Sequence, residues 1–283
     1  MIVITGATGN VGRPLTASLV SAGHVVTAVT RGSSASLPGG PGVIAVPADL
    51  TDPAAARSLS GSMAGAEALF LLVPGSGAGV DAAALLETAA TAGVRRVVLL
   101  SSQAVGSRPG AAAYTPMASI EAAVTGSRLE WTILRAAGLA TNAFAWAPSV
   151  RARQAVFAPY GDVALPAIDP LDIAEVAAAA LTGDGHLGQT YVLTGPEATT
   201  PRQRTQIIAA ATGQGIAFTE ASHDDAREQM LRFMPAPVAD ATLAILGQPI
   251  PEEVQVSPDV EKVLGHPGRS FADWARRNAA AFR

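Results

Sequence analysis

Residues 2–12 read Ile-Val-Ile-Thr-Gly-Ala-Thr-Gly-Asn-Val-Gly, an apolar strand-like run that meets three glycines spaced three apart, Gly6, Gly9 and Gly12. A helix-like stretch over residues 11–22 follows at once. A chain that leaves a buried strand and enters a helix within so few residues needs tight turns and close approaches that side chains obstruct, and glycine allows both. Gly6 suits the turn itself, Gly9 would let the main chain come close to a pyrophosphate, and Gly12 would let the helix pack on its own strand. Free amides at that helix start would point at phosphates, so Gly6, Thr8, Gly9, Asn10, Val11 and Gly12 are candidate cofactor contacts.

Strand and helix patterns then alternate. Strands are expected at residues 24–30, 43–46, 68–73, 96–101 and 129–135, and helices near 53–63, 80–92 and 117–124. Near-continuous apolar runs such as residues 68–73 and 97–100 fit strands buried on both faces of a parallel sheet. The expected fold is α/β, a doubly wound parallel sheet of Rossmann type, over residues 1–140. From about residue 141 the alternation loosens, and residues 141–283 read as a smaller α+β region on the substrate side. Its expected elements are helices at 172–181 and 201–211, strands at 190–193 and 216–219, and closing helices to residue 282. Without a low-complexity linker, the two parts are expected to interleave.

Composition narrows the chemistry. There is no cysteine, which excludes disulfides, a thiolate nucleophile and cysteine-bound metal. His24, His186, His223 and His266 lack metal-ligand spacing, so no metal is expected. A net charge of −4 argues against a broad grip on nucleic acid. No run is long enough to span a membrane and the first strand begins at residue 2, so a cytoplasmic protein without a signal peptide is the expectation. Lys262 is the sole lysine, so any lysine-dependent step in the first two-thirds of the chain is excluded. Arginine stays protonated and cannot replace it as acid or base.

Dinucleotide folds that prefer NAD place an acid at the end of the second strand, against the ribose hydroxyls. Here the first acidic residue is Asp49, whereas Arg31 follows the second strand directly, trailed by Gly32, Ser33 and Ser34. A guanidinium fork and hydroxyls suit a 2′-phosphate, so NADP(H) is expected over NAD(H). Asp49 could accept from the adenine amino group while Leu50 packs the ring. Equally, Asp49 could belong to the helix start at residues 51–53.

The Thr5–Gly12 string, Arg31, Asp49, the Trp-Thr-Ile-Leu-Arg run at 131–135 with Asn142 beyond it, the Tyr-Val-Leu-Thr-Gly-Pro-Glu run at 191–197 and the closing Phe-Ala-Asp-Trp at 271–274 resemble the NmrA-like group of atypical short-chain dehydrogenases/reductases. The likeness runs nearly end to end. It implies NAD(P) binding, and membership either among reductases, quinone reductases included, or among redox-sensing regulators without turnover. Classical members of the wider superfamily use Tyr-x-x-x-Lys. Here Tyr114, Tyr160 and Tyr191 are followed four positions on by Ala118, Ala164 and Gly195, and Met117 stands where related reductases carry Lys or His.

Ligands of open α/β sheets lie beyond the carboxyl ends of the strands, which places Val73, Pro74, Ser101, Ala136 and Gly138 on the nicotinamide side. Met117, Asn142, Phe144, Trp146 and Tyr160 could form an apolar wall for a flat substrate, although each aromatic equally suits ordinary core packing. Ser101, Gln103 or Tyr114 could hydrogen-bond a developing oxyanion, while Glu121 reads as solvated or paired. Asp169 and Asp172, flanking Pro170, read as turn and cap residues. The expected activity is NADPH-dependent hydride transfer to a quinone-like or other electrophilic small molecule without a Tyr–Lys dyad. The alternative is an NADP(H)-sensing regulator.

Overall fold

The computed structural model describes residues 1–32, 37, 39, 40 and 42–283. Its strands, in chain order, are β1 (Ile2–Thr5), β2 (Val26–Thr30), β3 (Val43–Pro47), β4 (Ala68–Leu71), β5 (Arg96–Ser102) and β6 (Glu130–Ala136). There follow β7 (Gly138–Leu139), β8 (Ala155–Ala158), β9 (Leu165–Ile168), β10 (Gln189–Leu193), β11 (Ala198–Thr199) and β12 (Ala217–Glu220). Seven of them form one sheet in the order β10-β6-β5-β4-β1-β2-β3, and the pairings of β1 with β2 and β4, of β2 with β3 and of β4 with β5 are all parallel. This is the doubly wound α/β architecture expected from the alternation.

Both faces of the sheet are covered, which is why its inner strands show no polar period. On one face Leu69, Leu71, Val97, Leu99 and Ile133 pack with Leu59 and Met63 of helix Ala55–Met63, Leu85 and Leu86 of helix Ala82–Thr91, and Ile120 and Val124 of helix Thr115–Thr125. The intervening Ile4, Ala28, Phe70 and Val98 are equally buried. Only β3, at the edge, is largely exposed. The fourth strand stops at Leu71, short of the expected residue 73, because a side chain takes over from the ladder. Leu72 donates its N–H to Thr5 Oγ1 at 2.8 Å, and the same hydroxyl donates to the Leu72 carbonyl at 2.8 Å.

The chain divides into two compact units, the first made of Met1–Gly106, Tyr114–Arg135 and Leu171–Val192, the second of Ser107–Ala113, Ala136–Pro170 and Leu193–Arg283. Residues 171–192, read from sequence as part of the smaller region, lie in the first unit because β10 completes the edge of the large sheet beside β6. The second unit holds a three-stranded sheet ordered β11-β9-β7 and the parallel pair β12-β8. Aromatic rings fill its core. Phe144 lies 5.0 Å from Trp274 and 6.1 Å from Phe282, centroid to centroid, with Phe271 tilted against Trp274 at 5.3 Å. Phe144 and the partly buried Trp146, expected on a substrate wall, therefore pack on this core instead.

In the first unit, the approach of helix Gly12–Ser21 to β1 depends on Gly12. A Cβ there would sit 2.2 Å from the Gly6 carbonyl oxygen and 2.8 Å from Ala7 Cα, both backbone atoms that cannot swing aside. Gly12→Ala should destabilise the protein by about 2 kcal/mol or more through overpacking, read as a lower urea midpoint at unchanged slope. An unchanged midpoint would contradict the contact.

Candidate functional site

Beyond the carboxyl ends of β1, β2 and β4 lies a cleft of about 340 Å³. Gly6 and Gly9 line it, with Thr8, Thr30, Arg31 and Gly32 on one side and Leu50, Leu72 and Pro74 on another. Gly6 has φ of +65°, the left-handed region open to glycine, and a Cβ there would meet Leu72 Cδ2 at 2.8 Å. The amide of Gly9 donates to the Gly6 carbonyl at 3.0 Å, closing the turn, and the Ala7 amide reaches Val29 O at 3.2 Å. No side chain caps the N-terminus of helix Gly12–Ser21, and its first turn has no acid. That end of the helix carries a partial positive charge with no built-in counter-charge.

Of the described lining residues, Arg31 alone is charged. Thr30 organises the turn that presents it: its Oγ1 lies 3.3 Å from Thr8 Oγ1 and accepts from the Gly32 amide at 3.3 Å. Arg31 is exposed. Ser33 and Ser34 lie outside the described residues. Asp49 is not among the lining residues; its Oδ1 closes a local turn by accepting from the Thr51 amide at 3.0 Å and the Thr51 hydroxyl at 2.8 Å. These two bonds, and more weakly the Arg31 charge, hold the Asp49 carboxyl below its ordinary range. A glycine-floored cleft whose described lining holds no carboxylate fits an anionic ligand.

At the carboxyl end of β5, Ser101 is buried and donates to Glu121 Oε1 at 2.6 Å. Glu121, on helix Thr115–Thr125, is in turn gripped by Arg135 of β6 through Nε–H to Oε1 at 3.1 Å and Nη2–H to Oε2 at 2.7 Å. Bonding to Glu121 holds the Arg135 guanidinium above its ordinary pKa. The Ser101 proton is thus committed, which removes Ser101 as an oxyanion donor. Gln103 opens the short helix Gln103–Ser107, and Tyr114 ends a 3₁₀ turn and packs on the first unit's core. Met117 and Val73 belong to that same core, so Met117 packs inward rather than forming a wall.

The remaining candidates lie in the second unit. Ala136 is buried, and Gly138 pairs with Ala167 in β7–β9. Asn142 is exposed on the 3₁₀ turn Ala140–Trp146. Tyr160, with φ of +53°, places its hydroxyl 2.7 Å from His223 Nδ1. Asp169 is only 2% exposed and pairs with Arg277, a stronger role than the turn expected of it. Among the described residues no group of His, Cys, Asp or Glu could hold a metal ion, and no helix is long and apolar enough to cross a membrane.

Val29, Thr30, Ala48 and Leu72 also line the cleft, and the sequence reading gives them no role. Their signal is positional, since each is one of the last two residues of a strand or directly follows one at the carboxyl edge. Such a cleft in such a sheet defines a dinucleotide-binding α/β protein. A family described as NAD(P)H-binding matches residues 6–184. The chain is 37% identical to a (4-alkanoyl-5-oxo-2,5-dihydrofuran-3-yl)methyl phosphate reductase of Streptomyces griseus, covering 100% of this chain and 99% of that one. It is 30% identical to an NAD(P)H azoreductase of Xenophilus azovorans, again over 100% and 99% of the two chains. An NADPH-dependent quinone oxidoreductase of Escherichia coli, solved with NADPH, superposes with a TM-score of 0.78 at 23% identity, covering 98% of this chain and 99% of that one. The chain belongs to the NAD(P)H-binding family, among the NmrA-like atypical short-chain dehydrogenases/reductases, and is an NAD(P)H-dependent reductase of that type.

The Thr5–Leu72 tie fixes the cleft wall. Thr5→Val keeps the shape but strands the Leu72 amide, and should cost about 1–3 kcal/mol in chemical denaturation. A neutral effect would show that the tie carries no weight.

Proposed function

We propose that this reductase uses NADPH to reduce conjugated, electrophilic small molecules, quinone-like ones among them, without a tyrosine–lysine acid. The bound cofactor supplies hydride from its nicotinamide. The observation that carries the reading is that no tyrosine is followed four positions on by a lysine and that the buried Ser101 hydroxyl is bonded to Glu121. The sole lysine is Lys262, and the Ser101 proton is held by Glu121. A simple ketone receiving hydride develops a localised oxyanion that such a site leaves unsupported. A quinone, an activated enone or an azo group spreads the added charge over its own π-system, and solvent can supply the proton afterwards. The names of the full-length relatives, one a dihydrofuranone phosphate reductase and the other an azoreductase, support this breadth of flat, polarised acceptors.

For the cofactor, Gly6, Thr8, Gly9, Asn10, Val11 and Gly12 cradle the pyrophosphate, Leu50 packs the adenine, and Arg31 grips the 2′-phosphate. Arg31 is the one charge on the cleft lining described, which favours NADPH over NADH.

Arg31→Ala should therefore weaken NADPH roughly tenfold or more in direct titration, the worth of a charge-assisted bond, and leave NADH nearly unchanged. Equal losses for both cofactors, or none, would refute the assignment.

An acceptor panel tests the substrate class. Loss of NADPH absorbance is expected with a benzoquinone, an azo dye and an acyl-butenolide, with saturated ketones slower by about 10³-fold or more, comparable to the loss of an oxyanion donor. Fast turnover of a saturated ketone would overturn the proposal. NADPH binding with no turnover on any acceptor would favour the NADP(H)-sensing alternative.

A further inference from the structure

The Ser101–Glu121–Arg135 arrangement decides the direction of a hydrogen bond. With both oxygens held by the Arg135 fork, Glu121 is in its ionised, acceptor-only form, so the proton on the 2.6 Å contact belongs to Ser101. A hydroxyl has one proton and two lone pairs. Toward any third group, Ser101 can therefore only accept.

The arrangement is built from distant parts of the first unit. Ser101 comes from β5, Glu121 from the helix that follows and Arg135 from β6. Room for the guanidinium comes from Gly106, where a Cβ would stand 2.4 Å from Arg135 Nη1. Ser101 is 5% exposed and Glu121 7%, while the Arg135 side chain is partly exposed. Ser101 lies two residues past Leu99, the partner of Leu71 in the sheet, and Leu72 and Pro74 line the cleft. Ser101 thus stands near the carboxyl end of the strand beside β4, the edge at which open α/β sheets take their ligands.

An acceptor-only oxygen repels quinone, enone and azo acceptors, all of which present lone pairs. It needs an N–H, and the one that the nicotinamide end of the cofactor offers is its carboxamide. Resting on the reductase reading above, we propose that Ser101 accepts a hydrogen bond from the nicotinamide carboxamide, and that Glu121 with Arg135 is the positioning pair that fixes Ser101 in that role.

The test is binding, not turnover. NADP⁺ and its 3-acetylpyridine analogue, which keeps the carbonyl but lacks the amide N–H, are titrated into the wild-type chain and into Ser101→Ala, Glu121→Gln and Gly106→Ala, with circular dichroism to verify folding. The wild type should prefer NADP⁺ by about tenfold, the worth of one such bond. Ser101→Ala should bring that ratio close to one, and Gly106→Ala or Glu121→Gln should lower it by freeing Ser101 to turn. A purely structural role would weaken both cofactors alike. A wild-type ratio retained in Ser101→Ala, or equal weakening of both cofactors, overturns the inference while leaving the reductase reading intact. If the wild type binds neither cofactor, the reductase reading falls and this inference with it.

Discussion

The closest approach on which the first unit rests is between a helix and the loop that feeds it. The Gly6 carbonyl comes so near Gly12 that a Cβ would sit 2.2 Å away. This contact brings the start of helix Gly12–Ser21 onto the end of β1. Thr5 fixes the other side by bonding both backbone groups of Leu72. Between these two constraints the chain leaves a cleft that side chains do not fill. Its glycine floor and uncapped helix end favour negative charge, and its described lining offers none. A preference for a phosphorylated ligand thus follows from packing as much as from any charged residue.

Three of the buried carboxylates are paired with arginines: Glu121 with Arg135, Glu253 with Arg108 and Asp169 with Arg277. Glu253, 3% exposed, shows the balance of forces. Burial pushes its pKa up, but bonds from Arg108, the Ile250 amide and Ser107 together hold it below the ordinary range. Arg204 is the contrasting case, pushed down to about 10 by burial, bonded to Thr199 and set 5.4 Å from the centre of the Phe271 ring. It remains charged at neutral pH. Planar guanidinium groups bond two oxygens at once in fixed geometry, which an ammonium does not. Such pairs add little net stability compared with an apolar core, yet breaking one leaves a bare buried charge. They hold their elements in one arrangement.

The seven strands of the large sheet were legible apart from their ends, because a strand covered on both faces is written as a short apolar run. The return of residues 171–192 to that sheet was not legible, since nothing local says which strand β10 will join. Within the cleft, Gly6, Gly9, Arg31, Leu50 and Pro74 could be read because spacing and strand ends are local signals. Met117, Phe144 and Trp146 were misplaced for the opposite reason. A large apolar side chain serves a core and a binding wall equally well, and only its neighbours decide. Glu121 illustrates the same limit: it meets Ser101 and Arg135, 20 and 14 residues away, on two other elements.

These neighbours also narrow the chemistry more than the glycine motif does. A glycine motif says that a dinucleotide binds, not what its hydride meets. In this chain the hydroxyl at the end of β5 is held as an acceptor, and the one lysine lies at residue 262. At that strand edge Ser101 is a fixed hydrogen-bond acceptor beside the paired Glu121 and Arg135. On the function proposed above, Ser101 helps to orient the cofactor and the substrate accommodates the added electrons itself.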